Sequence, residues 1–176
     1  MRIAAIWIVL LGAACVAAGL YGAVHNQVSY TISPDYFHAF KFKQFHVAPG
    51  LQNRVGASWV GWQAAWWMGV VAGGPLILVG RKLFADWSIV RPVLEAYLVL
   101  TITALLIGGG ALLRAYLVID AAHLPPFWIP PDAVDPVAFS RAGELHDASY
   151  AGAVIGVLSG AVWQVYRSRR GTSGAV

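Results

Sequence analysis

The segment Arg141-Ala-Gly-Glu-Leu-His-Asp-Ala-Ser-Tyr150 places four ionisable side chains at the start of an apolar stretch. Glu144 and Asp147 are three residues apart, so on a helix they lie on neighbouring parts of one face. His146 lies between them, and imidazole is the side chain best suited to acid–base chemistry near neutral pH. The segment therefore predicts a polar site in which His146 is a general base and Glu144 and Asp147 orient it or bind a metal.

The same two carboxylates could instead be partners of an arginine within the membrane. Arg114 interrupts another apolar stretch, and an arginine inside a membrane normally has an anionic partner. It is separated from the predicted outer boundary by about as many residues as Asp147. We therefore expect Arg114 to form an ion pair with Asp147 or Glu144, which would either neutralise buried charge or bind a ligand.

Metal and nucleophilic chemistry have weaker support. His25, His123 and His146 together with a carboxylate would suit zinc, iron or manganese, and haem would have to lie at the outer boundary. Consecutive residues on a helix point about 100° apart, so His146 and Asp147 diverge. Ser149 completes a serine, histidine and aspartate set, but the three would not form a relay on one helix. No cofactor is indicated.

Composition identifies the class of protein that holds this segment. The chain has 176 residues, 59% of them hydrophobic and 11% charged, and its mean hydropathy is +0.64. Soluble domains carry about 25% charged residues, so a polytopic membrane protein is predicted. Cys15 is the only cysteine, which excludes a disulfide within the chain. The basic residues lie at the ends of apolar stretches, which argues against binding to nucleic acid.

The apolar stretches predict a single all-α membrane domain of four transmembrane helices. These cover about 3–24, 57–79, 92–119 and 143–166, with outer loops 25–54 and 120–142 and a disordered basic tail 167–176. The first apolar stretch is longer than the apolar region of a signal peptide, so we expect it to be retained as a helix. Asp135-Pro136 is an N-cap signal from which the fourth helix could already begin.

The first outer loop carries its own pattern. Residues 27–32 alternate like a short strand, and Ser33-Pro34-Asp35 is typical of a helix start. The aromatic and lysine residues that follow predict an amphipathic helix on the membrane surface. The alternative is a lid over a site, with His38 or His46 reaching inward.

Two further patterns concern packing. Tryptophans recur every three or four residues in the second stretch and form an aromatic belt or a ligand pocket: Trp59, Trp62 and Trp66. Glycines between residues 69 and 75, together with Pro75, permit a kink.

In the fourth stretch small residues repeat every four positions: Gly152, Gly156 and Gly160. This glycine stripe, nearly opposite Asp147, predicts an interface with a second copy or another subunit, or packing against the first helix.

The distribution of lysine and arginine predicts the orientation. Seven basic residues fall at one set of helix ends: Arg2, Arg81, Lys82, Arg91, Arg167, Arg169 and Arg170. The positive-inside rule then makes both termini cytoplasmic and both long loops external.

The segments Tyr30-Thr-Ile-Ser-Pro-Asp-Tyr-Phe-His-Ala-Phe-Lys-Phe-Lys-Gln-Phe45 and 141–150 resemble those of a bacterial four-pass membrane protein family. The resemblance spans most of the chain and implies a bacterial inner-membrane location, but no activity. From the predicted Arg114 ion pair and the glycine stripe we expect a binding or assembly subunit in the lipid bilayer, which forms a homo-oligomer or joins a larger membrane complex. The alternative is an enzyme that acts on a lipid or a periplasmic small molecule at the outer leaflet.

Overall fold

The computed structural model describes residues 3–172, which form six α-helices, one π-helix and two short 3₁₀ turns. The α-helices are α1 (Ile3–Ile32), α2 (Phe42–Gln44), α3 (Arg54–Ala65), α4 (Met68–Leu83), α5 (Val90–Val118) and α6 (Pro136–Thr172). The π-helix covers Tyr36–Lys41, and the 3₁₀ turns cover Pro49–Leu51 and Asp86–Ile89. The described residues contain no strand, so the strand predicted at 27–32 is wrong. Those residues are the last turns of α1.

Three helical stretches are long and apolar enough to cross a membrane: Ala4–Ile32, Asp86–Val118 and Pro136–Arg170. Helices α3 and α4 meet at a bend of 41° and would together make a fourth span. The chain is therefore all-helical in its described part, with three or four candidate spans. The bend lies at Trp66 and Trp67, before the glycines and Pro75 of residues 69–75, which lie inside α4.

The last helix is longer than its hydropathy predicts. It begins at Pro136, where the Asp135 carboxylate accepts a hydrogen bond of 2.9 Å from the Ala138 amide. This is the N-cap that the Asp135-Pro136 signal predicts. At its other end the helix runs to Thr172, so residues 167–172 are helical and not a disordered tail. Residues 173–176 lie outside the described part of the chain.

Helix α1 extends beyond its predicted end because α3 satisfies its polar side chains. Asn26 Nδ2 donates to the Ala57 carbonyl at 2.9 Å. Gln27 Nε2 donates to the Arg54 carbonyl and to Ser58 Oγ, both at 2.8 Å. Polar residues that look like the start of a loop are thus compatible with a continuous helix, since their partners come from another helix.

The helices form two close pairs when the bent helices α3 and α4 are counted as one element. Helix α1 packs on α3 and α4, where the backbone at Gly22 meets that of Gly61 and the backbone at Gly69 meets that of Cys15. The other pair is α5 and α6. A Cβ at Gly152, Gly156 or Gly160 would come within 3 Å of the α5 backbone. The glycine stripe therefore faces α5 of the same chain, and not α1 as expected for packing within the chain.

The two long loops lie together at one end of the bundle. We call residues 33–53 and 119–135 the cap. The Asp35 carboxylate in the first loop accepts hydrogen bonds from the amides of Val134 and Asp135, at 2.7 and 3.1 Å. Lys43 forms an ion pair with Asp132 across the same boundary. These contacts join the two loops into one structure.

The aromatic residues of the first loop lie inside the protein. Ser33 Oγ accepts from the Tyr36 amide at 3.0 Å, as its predicted capping role requires. Tyr36, Phe37 and Phe42 are then buried against α3 and α6, in a core cluster that includes Val60 and Phe139. The rings pack on protein and not among lipid headgroups, so the expected surface helix is instead a packed part of the cap.

The opposite end of the bundle is closed by polar contacts between helices. Glu95 accepts a hydrogen bond from Trp163 Nε1 at 3.0 Å and lies 2.9 Å from Arg167 Nε and 2.9 Å from Arg91 Nε. Gln164 is fully buried and donates to the Leu76 carbonyl at 3.0 Å. Helix α6 is thereby tied to both α5 and α4.

Candidate functional site: a cavity between the helix pairs

A cavity of about 140 Å³ lies between the pair formed by α1 with α3 and α4 and the pair formed by α5 and α6. Alanine and glycine side chains form much of its wall. Most of its polar residues lie toward the cap: Tyr21, His25, Asn26, Lys41, His146, Ser149 and Tyr150. Tyr97 and Thr101 of α5 line the cavity farther from the cap, where the Tyr97 hydroxyl donates to the Leu10 carbonyl at 3.3 Å. The cavity is thus most polar toward the cap.

Two helices supply the polar end. Tyr21, His25 and Ser29 repeat every four residues on α1 and therefore share one face of that helix. His146 projects from α6 toward this face. Its Nε2 lies 3.2 Å from Ser29 Oγ. The site depends on the extension of α1 beyond residue 24, because His25 and Ser29 otherwise belong to a loop.

The two histidines lie against each other. The His25 and His146 rings meet edge to face with centroids 4.7 Å apart, and Tyr21 stacks on the far side of His25 at 5.7 Å. Nε2 of His25 is buried and has no hydrogen-bond partner among the described residues. A buried polar atom of this kind costs free energy unless a ligand or a water molecule satisfies it.

The cap contributes a lysine and a tyrosine. Tyr36 stacks on His146 with ring centroids 4.9 Å apart, and burial raises the pKa of its hydroxyl. Lys41 lines the cavity, and burial lowers the pKa of its amine. The amine is 3.2 Å from Gln44 Oε1 and 4.5 Å from the centroid of the Phe40 ring. Lys41 is therefore a cation with neutral close neighbours.

The structure separates the three residues predicted to act together. His146 faces the cavity. Glu144 Oε2 lies 3.5 Å from Arg114 Nη1, so one of the two predicted ion pairs is present. Asp147 is exposed and does not face the bundle interior as expected. Its charge acts on Tyr36 and Lys41 through space, so neither carboxylate forms a close relay with His146.

The remaining candidates for metal or nucleophilic chemistry also lie apart. His123 Nδ1 is 2.9 Å from Asp120 Oδ1 in the cap, away from the pair of His25 and His146. Within residues 3–172 no three histidine, cysteine, aspartate or glutamate side chains form a group that could hold a metal ion. Ser149 Oγ donates to the Leu145 carbonyl at 2.7 Å, as a helical serine commonly does.

The tryptophans in and directly after α3 do not form the pocket. Trp59 and Trp66 are exposed, and Trp62 packs against Gly19 of α1. No tryptophan lines the cavity within the described residues. The aromatic belt stays a prediction.

Sequence reasoning missed Tyr21, Ser29 and Lys41. The signal for the first two was a polar stripe with the period of a helix, running from Tyr21 through His25 to Ser29. It could have been recognised if the apolar run had not been ended at residue 24. Lys41 carried no such signal, because its position depends on how the cap folds onto the helices.

Comparisons with protein-family models, with curated proteins and with solved structures find no match. Function must therefore be argued from the geometry of the cavity and its polar end.

Proposed function

We propose that this chain is a membrane-embedded binding protein that holds a small molecule in the cavity between its two helix pairs. The observation that carries the proposal is His25 Nε2, a buried polar atom without a partner in a side chain that lines this cavity. Small-molecule sites are typically apolar cavities with a few polar groups that orient the ligand. The cavity and its histidine, tyrosine and lysine side chains have that composition.

The site lies toward the outer leaflet of a bacterial inner membrane in this proposal. Arg81, Arg91 and Arg167 lie at the end of the bundle opposite the cap, and excess positive charge favours the cytoplasmic side. Both termini are then cytoplasmic and the cap is external. Reporter enzymes fused after residue 50 and after residue 176 test this, since only the first should be active outside the cytoplasm.

An assembly role would need a surface other than the glycine stripe that the sequence suggests. The glycine stripe faces α5 closely enough that an added Cβ at Gly156 would lie 2.8 Å from the Leu100 carbonyl oxygen. A second copy cannot occupy that face while α5 covers it. This supports binding over assembly as the primary role.

Filling the cavity tests the binding role. Ala18 lines the cavity and Ala13 is exposed on the same helix and does not. Wild-type protein, purified in a mild detergent, should carry a bound small molecule that native mass spectrometry detects. Ala18→Leu should lose the bound molecule, whereas Ala13→Leu should keep it.

Two results would count against a binding site. One is wild-type protein that carries only detergent. The other is Ala18→Leu protein that retains the same bound molecule as wild type. Either would mean that the cavity is space left by helix packing.

A second candidate is an enzyme that acts on a lipid or a periplasmic small molecule. The observation in its favour is the pair His25 and His146 at the polar end, since imidazoles are the commonest acid–base groups. Glu144 and Asp147 would then lie outside the reacting groups. Membrane extracts incubated with wild-type protein or with His25→Gln should differ by a product if this candidate is correct; identical extracts would exclude a role for His25 in such a reaction.

A further inference from the structure

We propose that the cavity takes a single-chain amphiphile with an anionic headgroup, which binds beside Lys41 and His25 with its chain extending along α1. The inference rests on the proposed binding function and specifies its ligand class. Three independent features of the cavity support it: its charge, its unsatisfied polar atom and its shape.

The charge of the lining favours an anion. Lys41 is a cation of the lining, and no aspartate or glutamate lines the cavity within residues 3–172. The close partners of the Lys41 amine are an amide oxygen and aromatic rings. The exposed Asp147 carboxylate acts on Lys41 through space, but it does not line the cavity. An anionic headgroup would add compensating charge on the cavity side of Lys41.

The unsatisfied atom lies in the wall at the same end of the cavity. Because Nε2 is buried, the His25 ring must turn before Nε2 can meet a headgroup. His25 and Lys41 both line the cavity at its cap end. His146 Nε2 is already engaged by Ser29 Oγ, whereas His25 Nε2 has no partner. In the tautomer that carries a proton on Nε2, His25 can donate to a carboxylate or phosphate oxygen. Charge-assisted hydrogen bonds of this kind are among the stronger ones.

The shape of the cavity favours one chain. Its lining on α1 runs from Ala14 to Asn26, a distance of ~18 Å at the rise of an α-helix. Its volume is about 140 Å³, and it is partly open to the surroundings. Alanine and glycine residues form much of its wall, so the space is long and lined by small side chains. Such a space suits one unbranched chain, which can continue through the opening.

Photolabelling in nanodiscs of phosphatidylcholine tests the inference. The probe is dodecanoate with a diazirine near the end of its chain, and labelled residues are located by mass spectrometry. Met68 and Ala72 line the cavity, whereas Val70 and Val71 of the same peptide are exposed and do not line it. We expect labelling of the first two to be lowered by unlabelled dodecanoate or dodecyl phosphate and unchanged by dodecanol. Labelling of the two valines should not respond to any competitor.

The amount by which dodecanoate and dodecyl phosphate each lower the labelling shows whether the site prefers a carboxylate or a phosphate headgroup. Equal competition by dodecanol would overturn the anionic ligand but leave the binding function intact. Labels confined to Val70 and Val71 would overturn both. The competition experiment uses wild-type protein, so it does not depend on the folding of a variant.

Charge variants of the cap provide the matched control. Lys41→Gln should lower labelling of Met68 and Ala72 roughly tenfold, the size expected for loss of one charge-assisted hydrogen bond. Lys43→Gln removes the same charge from the same loop, but Lys43 is exposed and does not line the cavity. It should leave labelling unchanged, and Lys41→Arg should retain most of it. Equal loss of labelling in Lys41→Gln and Lys43→Gln would show that the loop attracts the probe only through its overall positive charge. That result would overturn a headgroup site at Lys41.

Discussion

Replacing Gly22 with alanine should separate α1 from α3 and destabilise the protein. A Cβ at Gly22 would overlap the Gly61 carbonyl oxygen and lie 2.5 Å from Ala65 Cβ. The obstacle is backbone, which cannot rotate away as a side chain can. The helices must therefore move apart, and overpacking of this kind costs about 1–3 kcal/mol.

Gly12→Ala is the matched control for this prediction. Gly12 lies in the same helix, and a Cβ there meets nothing within 4 Å. Both variants gain the same helix propensity, up to ~1 kcal/mol, so this gain cancels when the two are compared. We therefore expect Gly22→Ala to be less stable than Gly12→Ala by about 1–3 kcal/mol.

Unfolding by sodium dodecyl sulfate in mixed micelles, followed by tryptophan fluorescence, measures the difference. Trp62 packs against Gly19 on the same side of α1 and contributes to this signal, as one of the 8 tryptophans of the chain. If the two variants unfold within ~0.5 kcal/mol of each other, the backbone contact between Gly22 and Gly61 is absent and the close pairing of α1 with α3 is wrong.

Two further predictions concern ion pairs at the two ends of the bundle. Glu95→Gln should lower the free energy of unfolding by about 1–2 kcal/mol, because Arg167 loses its counter-ion while Trp163 can keep its hydrogen bond; an unchanged unfolding midpoint would show that this contact contributes nothing. The Lys43 hydrogen bond lowers the pKa of Asp132, so its stabilisation is present above the unfolded pKa of about 4 and is lost as the pH falls through the folded value. Asp132→Asn should therefore be less stable than wild type at pH ~7, with a difference that narrows as the pH falls below ~4 and that shrinks at high salt because both groups are exposed. Thermal unfolding across this pH range measures the difference, and a difference that does not narrow in acid would contradict the prediction.

Sequence patterns predicted the features of the structure that depend on residues close together in the chain. Asp135 caps the helix that begins at Pro136, and Ser33 caps the turn that leads to Tyr36, because capping involves residues two or three positions apart. The apolar runs similarly identify the candidate spans, since membrane crossing depends on length and hydropathy. The pairing of Arg114 with Glu144 also follows from a general rule, that a cation within an apolar stretch normally has an anionic partner, although the Arg114 side chain is exposed.

The site could not be predicted because it depends on contacts between distant segments. Residues 27–32 alternate like a strand, but they are helical because Arg54 and Ser58 satisfy the Gln27 side chain. That extension places Ser29 opposite His146, more than a hundred residues away in sequence. Lys41 enters the cavity through the fold of the cap, which no periodicity encodes.

The shared hydrogen bonds of Asp35 determine how the cap can open. One carboxylate holds the amides of Val134 and Asp135, so the first loop cannot leave the second without releasing both. Opening is therefore a single cooperative event, and the two amides must become exposed to solvent at the same rate. Their hydrogen exchange in wild-type protein would time that event.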